Sequence, residues 1–173
     1  MILTGKEIEK QVNLMDIIIN PFDEKCLRPN SYIYHLSNKL VEIQEIGDIR
    51  VPYRTKQITI PDEGYILEPN KLYLGTTEEK IGSEKFVTTL VGRKKIGKLG
   101  MFLQITADLG QLGQAHKWTL EIHVIQPLKV YPFMEIGKVM FWVPKGEIEL
   151  SEPEFYSTQN EPHTSKLFNQ IQQ

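Results

Sequence analysis

The chain has few of the residues on which several protein classes depend. Its 173 residues include one cysteine, Cys26, which cannot form an internal disulfide or supply the thiolate cluster of a zinc site. No apolar run reaches the roughly 18–20 residues that cross a bilayer. The first residues carry Glu7 and Glu9 rather than the basic start of a leader. We therefore expect a cytoplasmic chain without a membrane span or a redox role.

An excess of charge of either sign is also missing. The chain has 20 Lys and Arg against 22 Asp and Glu, which disfavours a nucleic-acid polymer as partner because such binders carry a strongly basic surface. Hydrophobic residues make up 40%, too many for a disordered chain. The length predicts one domain, which we place at 1–146, followed by a polar tail over 147–173 that lacks the apolar residues for a core of its own.

The apolar residues fall in short runs separated by turn formers. Such runs, spaced roughly 8–12 residues apart, are typical of an all-β sandwich or barrel. One short helix is expected near the start, since Thr4 can cap it, Glu7 can complete a capping box and the pattern ends near Val12. The predicted strands are 17–19, 32–36, 40–46, 57–60, 65–67, 72–74, 86–91, 100–106, 118–125, 128–131 and 138–143.

Strict alternation in one predicted strand isolates a carboxylate. In the run 118–125, Trp118 and Leu120 share one face, and Thr119 and Glu121 share the other. Glu121 can be a surface charge of an ordinary strand, which is the more common case for a mid-strand Glu. It can also be a catalytic acid or base, and the pattern alone leaves both interpretations open.

A second unusual segment concentrates positive charge between glycines. Arg93, Lys94, Lys95 and Lys98 place four cations in six residues, bounded by Gly92, Gly97 and Gly100. Clustered cations with close backbone approach favour a polyphosphate ligand, although a solvated basic loop has the same composition. The segment is not a Walker A loop, since the Gly-Lys-Ser/Thr ending is missing. The four histidines show no metal-ligand spacing.

An ordered series of segments matches a known family. The series begins with Met1–Ile8 against M-I-L-S-D-x-x-I and 19–23 against I-x-P-F. It continues with 93–100 against R-S-S-L-(A/G)-R-x-G, 106–107 against T-A, 118–121 against the strand with the catalytic Glu, 131–137 against P-G-M-x-I-G and 156–159 against Y-x-x-Q. The chain thus resembles the dCTP deaminase branch of the dUTPase-like superfamily from Met1 to about Lys166.

The resemblance implies a distorted, jelly-roll-like β-barrel that forms a homotrimer with nucleotide sites between subunits. It implies zinc-independent hydrolysis of dCTP to dUTP and ammonia in pyrimidine deoxynucleotide metabolism, with Mg²⁺ bound through the triphosphate and Glu121 as the catalytic acid and base. One cysteine cannot supply the ligands of a zinc deaminase, which agrees with this. The implied nucleotide-binding residues are Arg93, Lys94, Lys95, Lys98, Gln111, Thr119 and, in a tail that closes as a lid, Gln159.

Five positions depart from the family pattern. Lys94 and Lys95 replace the two serines of the R-S-S motif, the first of which helps to hold the attacking water, and Lys98 replaces the second arginine. Gln111 replaces an aspartate near the sugar, and Ile33 stands where an aspartate is usual. These departures keep open a catalytically impaired nucleotide-binding, regulatory or structural protein on the same scaffold. A dUTPase or a bifunctional deaminase and dUTPase is the second alternative, with dUTP and dTTP as further ligands.

Overall fold

The computed structural model describes residues 1–45, 47–103, 107–148, 150 and 160–167. Two helices, α1 and α2, and eleven strands, β1 to β11, follow in chain order. They are α1 Gly5–Asn13, β1 Ile17–Asn20, β2 Leu27–Arg28, β3 Ser31–Glu45, β4 Arg54–Thr59, β5 Tyr65–Leu67, β6 Leu72–Ser83, β7 Val87–Gly92, α2 Lys94–Gly97, β8 Met101–Leu103, β9 Gln114–Val124, β10 Leu128–Val130 and β11 Glu135–Trp142. Short antiparallel strands dominate, so the all-β prediction is confirmed.

The main sheet curls into a nearly closed barrel. Its central order is β7-β11-β3-β6-β9-β8, with β1, β2 and β4 paired at its margins. The two ends of this order meet, since a Cβ on Gly92 of β7 would lie 3.7 Å from Leu103 of β8. The predicted barrel is therefore confirmed, while the homotrimer stays a prediction.

The interior of the barrel is filled by the alternate residues of three long strands. Leu40, Gly75 and Leu120 are direct partners across β3, β6 and β9. A Cβ on Gly75 would lie only 3.0 Å from Leu36 and 3.1 Å from Ile122, so a larger side chain would have to push core residues apart. This tight packing holds β9 firmly against β6, and β9 carries Glu121.

The N-terminal helix α1 begins as predicted. The Thr4 hydroxyl accepts a hydrogen bond from the Glu7 backbone N–H at 3.4 Å. The second half of the predicted capping box does not form, since Glu7 instead accepts a hydrogen bond from Gln11 one turn later. At the other end Met15 adopts a left-handed conformation, φ 63°, and its backbone N–H reaches the Val12 carbonyl.

Three elements differ from the sequence prediction. The runs 32–36 and 40–46 belong to one long strand, β3, although Ser37 and Asn38 lie between them, because the pairing with β6 accommodates an irregularity between Leu36 and Leu40. Strand β6 extends beyond the predicted run 72–74 to Ser83. The additional residues are mostly polar and include a bulge opposite β9. The basic loop contains the helical turn α2 rather than irregular backbone.

The described part of the tail packs on the outside of the barrel. Lys39 of β3 forms an ion pair of 2.6 Å with Glu161, and the Tyr53 hydroxyl donates a hydrogen bond to the Ser165 carbonyl at 3.4 Å. Pro162 is buried between these contacts. Lys39 lies on the same face of β3 as Val41, which is fully buried although it faces away from the main core.

Candidate functional site

Strand β9 presents Glu121 on the outer face of the barrel. Trp118, Leu120 and Ile122 alternate inward and are buried, whereas Thr119 and Glu121 are half-buried on the opposite face. The predicted facing of Glu121 is thus confirmed. Its cross-strand partner is Leu74 of β6, which in turn lies opposite Val41 of β3. Glu121 therefore shares its face with the apolar patch beside the tail contacts.

A bulge in β6 fixes the register of β9 just before this pair. Thr76 pairs with Thr119, but Lys80 pairs with Lys117, so three residues of β6 lie opposite Trp118 alone. The Trp118 backbone N–H donates to the Thr77 hydroxyl at 2.9 Å, and its indole N–H donates to the Ile81 carbonyl at 3.0 Å. Trp118 is thereby held at both ends, and a one-residue slip that would turn Glu121 inward is prevented.

The basic segment forms a compact turn at the end of β7. Lys94, Lys95 and Lys98 are exposed, and none of them makes an ion pair within the described part of the chain. The turn packs against β8, whose Leu103 lies opposite Ile122 of β9. The three lysines and Glu121 therefore flank the same pair of strands.

The glycines of this segment do not all serve close backbone approach. Gly100 has φ +81°, and a Cβ there would lie 2.3 Å from Ile125, so glycine is required by the fold. A Cβ on Gly97 would meet nothing within 4 Å, and one on Gly92 would make ordinary contacts. The signal for an anion site thus comes from the exposed lysines.

The fourth cation, Arg93, is engaged by a residue that sequence reasoning missed. Its side chain is 18% exposed, and its Nη1 donates a short hydrogen bond to Oε2 of Glu135. The other oxygen of Glu135 lies 3.9 Å from Nη2 of Arg28. Glu135 therefore lies between two guanidinium groups. The sequence feature that could have identified Glu135 is its position in the segment 131–137, which matches a family motif.

That turn also carries an unusual backbone. Phe133 stands where the family motif has glycine, and it adopts φ 58° with its side chain 52% exposed. A non-glycine residue in this region costs free energy. The conformation is fixed by two hydrogen bonds with Leu36, which donates to the Met134 carbonyl and accepts from the Phe133 backbone N–H. The turn before Glu135 is therefore anchored to β3.

A second missed pair lies in the interior wall. Glu79 from the β6 bulge contacts His35 through both carboxylate oxygens, at 2.6 Å from Nδ1 and 2.9 Å from the backbone nitrogen of His35. Glu79 is almost fully buried. Burial, together with this carboxylate, raises the pKa of Tyr34 above its ordinary range.

The remaining predicted residues are less closely tied to this region. Gln111 is exposed after the end of β8, and its side-chain oxygen accepts a hydrogen bond from Gln114 at 3.4 Å. Gln159 lies outside the described residues, as does Thr106 of the matched T-A pair. Among the residues that the structure describes, no three His, Cys, Asp or Glu side chains are grouped to hold a metal ion, and no helix is long and apolar enough to span a membrane.

Comparison with known proteins decides the family. Residues 2–143 match the model of the family described as dCTP deaminase-like. The chain belongs to this family. It is 47% identical over 151 residues to a dCTP deaminase, dUMP-forming, of Clostridium beijerinckii, covering 87% of each chain. It is 42% identical to a protein of the same name from Hathewaya histolytica, covering 99% of this chain and all of the other.

A solved structure supports the fold. The chain superimposes on a 2'-deoxycytidine 5'-triphosphate deaminase from Agrobacterium tumefaciens with a TM-score of 0.67 and 16% sequence identity. The match covers 83% of this chain and 48% of the other, so it spans about half of that protein. At this identity the likeness concerns the barrel alone.

Proposed function

We propose that this family member is a dCTP deaminase that forms dUMP. The dUTP product expected from the sequence resemblance is replaced here, because the Clostridium and Hathewaya relatives are both named dUMP-forming. The overall change consumes dCTP and two water molecules and releases ammonia, pyrophosphate and dUMP. This corresponds to the bifunctional alternative, in which deamination is coupled to cleavage between the α- and β-phosphates.

The placement of Glu121 is the observation that carries the deamination step. It is a half-buried carboxylate on the outer face of a strand whose register is fixed, so a ligand can reach it. In the proposed reaction Glu121 takes a proton from water as the water oxygen adds to C4 of cytosine. It then gives a proton to the departing amino group, which leaves as ammonia. Thr119, two residues earlier on the same face, contacts the nucleotide.

The basic turn is assigned to the triphosphate. The exposed Lys94, Lys95 and Lys98 supply three positive charges for phosphate oxygens, and Arg93 supplies a fork-shaped donor set. Mg²⁺ is expected to enter with the nucleotide and to neutralise part of its charge. The Lys and Arg side chains of this turn are cations, which would bind phosphate oxygens rather than the metal. They are therefore consistent with Mg²⁺ that is bound through the nucleotide. Gln111, Gln159 and the lid remain predictions for the sugar and base.

Lys94 favours a second candidate function. It stands where the family motif has the serine that helps to hold the attacking water, and its side chain is exposed. A long cation cannot replace a short hydroxyl as a water ligand at the same place. The chain would then bind a deoxynucleoside triphosphate without converting it, which is a regulatory rather than an enzymatic role.

Turnover of dCTP with Mg²⁺ separates these functions. We expect chromatography to show dUMP and an ammonia assay to show release in equal amounts. Glu121→Gln should lower kcat by at least about 100-fold, the usual share of a general base or acid, with little change in KM. Glu78→Gln, which removes a partly exposed carboxylate from the neighbouring strand β6, is the matched control and should keep wild-type activity.

Three other outcomes decide against the enzyme as proposed. Equal rates for wild type and Glu121→Gln remove the catalytic assignment. Accumulation of dUTP without dUMP removes the coupled phosphate cleavage. Tight calorimetric binding of dCTP without turnover, together with activity gained in Lys94→Ser, establishes the binding role and identifies Lys94 as its cause.

A further inference from the structure

Glu135 has no role in the proposed reaction, yet it contacts the one cation of the basic segment that is mostly buried. Arg93 directly follows β7 and is the N-cap residue of α2, and Glu135 is the first residue of the adjacent strand β11. The Arg93 backbone N–H also donates to the Ile136 carbonyl at 3.1 Å. Main chain and side chain together therefore join the start of the basic turn to the start of β11.

The contact with Glu135 uses one nitrogen of the Arg93 guanidinium, Nη1. Arginine has five N–H donors in a rigid plane. Within the described residues, the side-chain contact of Arg93 is made through Nη1, to Glu135. Once one nitrogen is held, the plane of the whole group is restricted, and the Nε and Nη2 donors keep a restricted direction. A phosphate oxygen that binds them meets a group whose entropy has already been reduced.

A carboxylate beside Arg93 would by itself repel phosphate, and Arg28 compensates this negative charge. Its Nη1 is fixed by the carbonyls of Lys25 and Leu27, at 2.7 and 2.6 Å. Its Nη2 lies 3.9 Å from Glu135. The three side chains together carry a net charge of +1, so Glu135 can orient Arg93 while the cluster still attracts an anion.

We propose that Glu135 is a positioning residue for the triphosphate, acting through Arg93, with Arg28 compensating its charge. This inference rests on the proposed function in one respect, the assignment of the triphosphate to the basic turn. The opposite role is competition: a Glu135 carboxylate that only neutralises Arg93 would compete with phosphate for the Arg93 side chain. The two roles predict affinity changes of opposite sign.

The test is calorimetric titration of the full chain with inorganic tripolyphosphate and with dCTP plus Mg²⁺. Glu135→Ala is expected to weaken binding of both ligands about tenfold, the scale of one charged hydrogen bond. Arg93→Lys should weaken both by a similar factor, and the double variant should be little weaker than either single one. Glu135→Asp should recover part of the affinity. In turnover assays, Glu135→Ala should raise KM for dCTP and leave kcat unchanged.

A matched control removes a carboxylate of similar exposure from another ion pair. Glu78→Ala breaks the pair of Glu78 on β6 with Lys117 on β9 and should leave both affinities unchanged. Thermal unfolding of every variant checks that the barrel remains folded. Affinity that is unchanged or increased in folded Glu135→Ala would overturn the positioning role. Wild-type binding without turnover would instead refute the proposed reaction alone, and absence of any binding would refute both.

Discussion

His116 illustrates how one buried ring ties the stability of the barrel to pH. It stacks on Trp118 with ring centroids 4.7 Å apart, and its Nδ1 is buried without a hydrogen-bond partner among the residues that the structure describes. Burial, with a smaller contribution from the charge of Lys80, lowers the pKa of His116. Protonation is therefore easier in the unfolded chain, where the pKa is near 6.5, so stability falls as pH drops below that value.

The prediction for this residue is a weaker acid dependence in His116→Phe. Phenylalanine keeps the stacked ring but cannot be protonated. The free energy of unfolding, measured by urea titration at pH 7.5 and 5.5, should fall less in the variant than in wild type, by at most about 1.4 kcal/mol. Lys80→Gln should give a change of the same sign. Identical acid losses in wild type and His116→Phe would contradict the assignment.

At the scale of elements, the segment 160–167, here called the clamp, contacts Lys39 of β3 and Tyr53, the residue before β4. Its ion pair from Lys39 to Glu161 is exposed and contributes little by itself. The buried Pro162 contributes more, since its ring is removed from water. The clamp should therefore open when Pro162 is made charged and stay closed when the ion pair alone is removed.

Pro162→Asp tests this clamp. A charge at a buried position without a partner is unfavourable, so the segment should leave the barrel. We expect amide hydrogen exchange, followed by mass spectrometry, to accelerate at least about tenfold in the peptide that contains 160–167. Peptides from β3 and β9 should keep wild-type protection. Glu161→Gln is the control and should exchange as wild type does. Equal protection in Pro162→Asp would show that the segment is held elsewhere.

The sequence predicted those features that depend on local pattern. Alternation placed Glu121 on the outer face because a strand has a period of two, and Thr4 announced the start of α1. It did not predict that Arg93 meets Glu135, 42 residues away, because only the pairing of β7 with β11 brings them together. The His35 and Glu79 pair was missed for the same reason, since it depends on a bulge.

At the scale of the whole molecule, one side of the barrel remains apolar and exposed. Leu99, Phe102 and Ile125 surround the junction of α2 with β8, and they are 50%, 41% and 64% exposed. Neighbouring exposed apolar side chains of this size are typical of a contact with another chain. They lie next to the exposed lysines of the basic turn. The homotrimer with nucleotide sites where the subunits meet stays a prediction, and this patch is the surface on which we would place its contact.

Light scattering tests the assembly. The wild-type particle should have about three times the mass of the 20.0 kDa chain, in a closed ring that buries one patch per subunit. Ile125→Glu places a charge in that contact and should yield folded monomers, with the circular dichroism spectrum retained. If the sites lie between subunits, these monomers should also lose dCTP binding. Lys129→Glu, on strand β10, which pairs with β5 outside the main sheet, is the control for added negative charge. A monomeric wild type would place the nucleotide site within one chain. An unchanged mass for Ile125→Glu would place the subunit contact on another face.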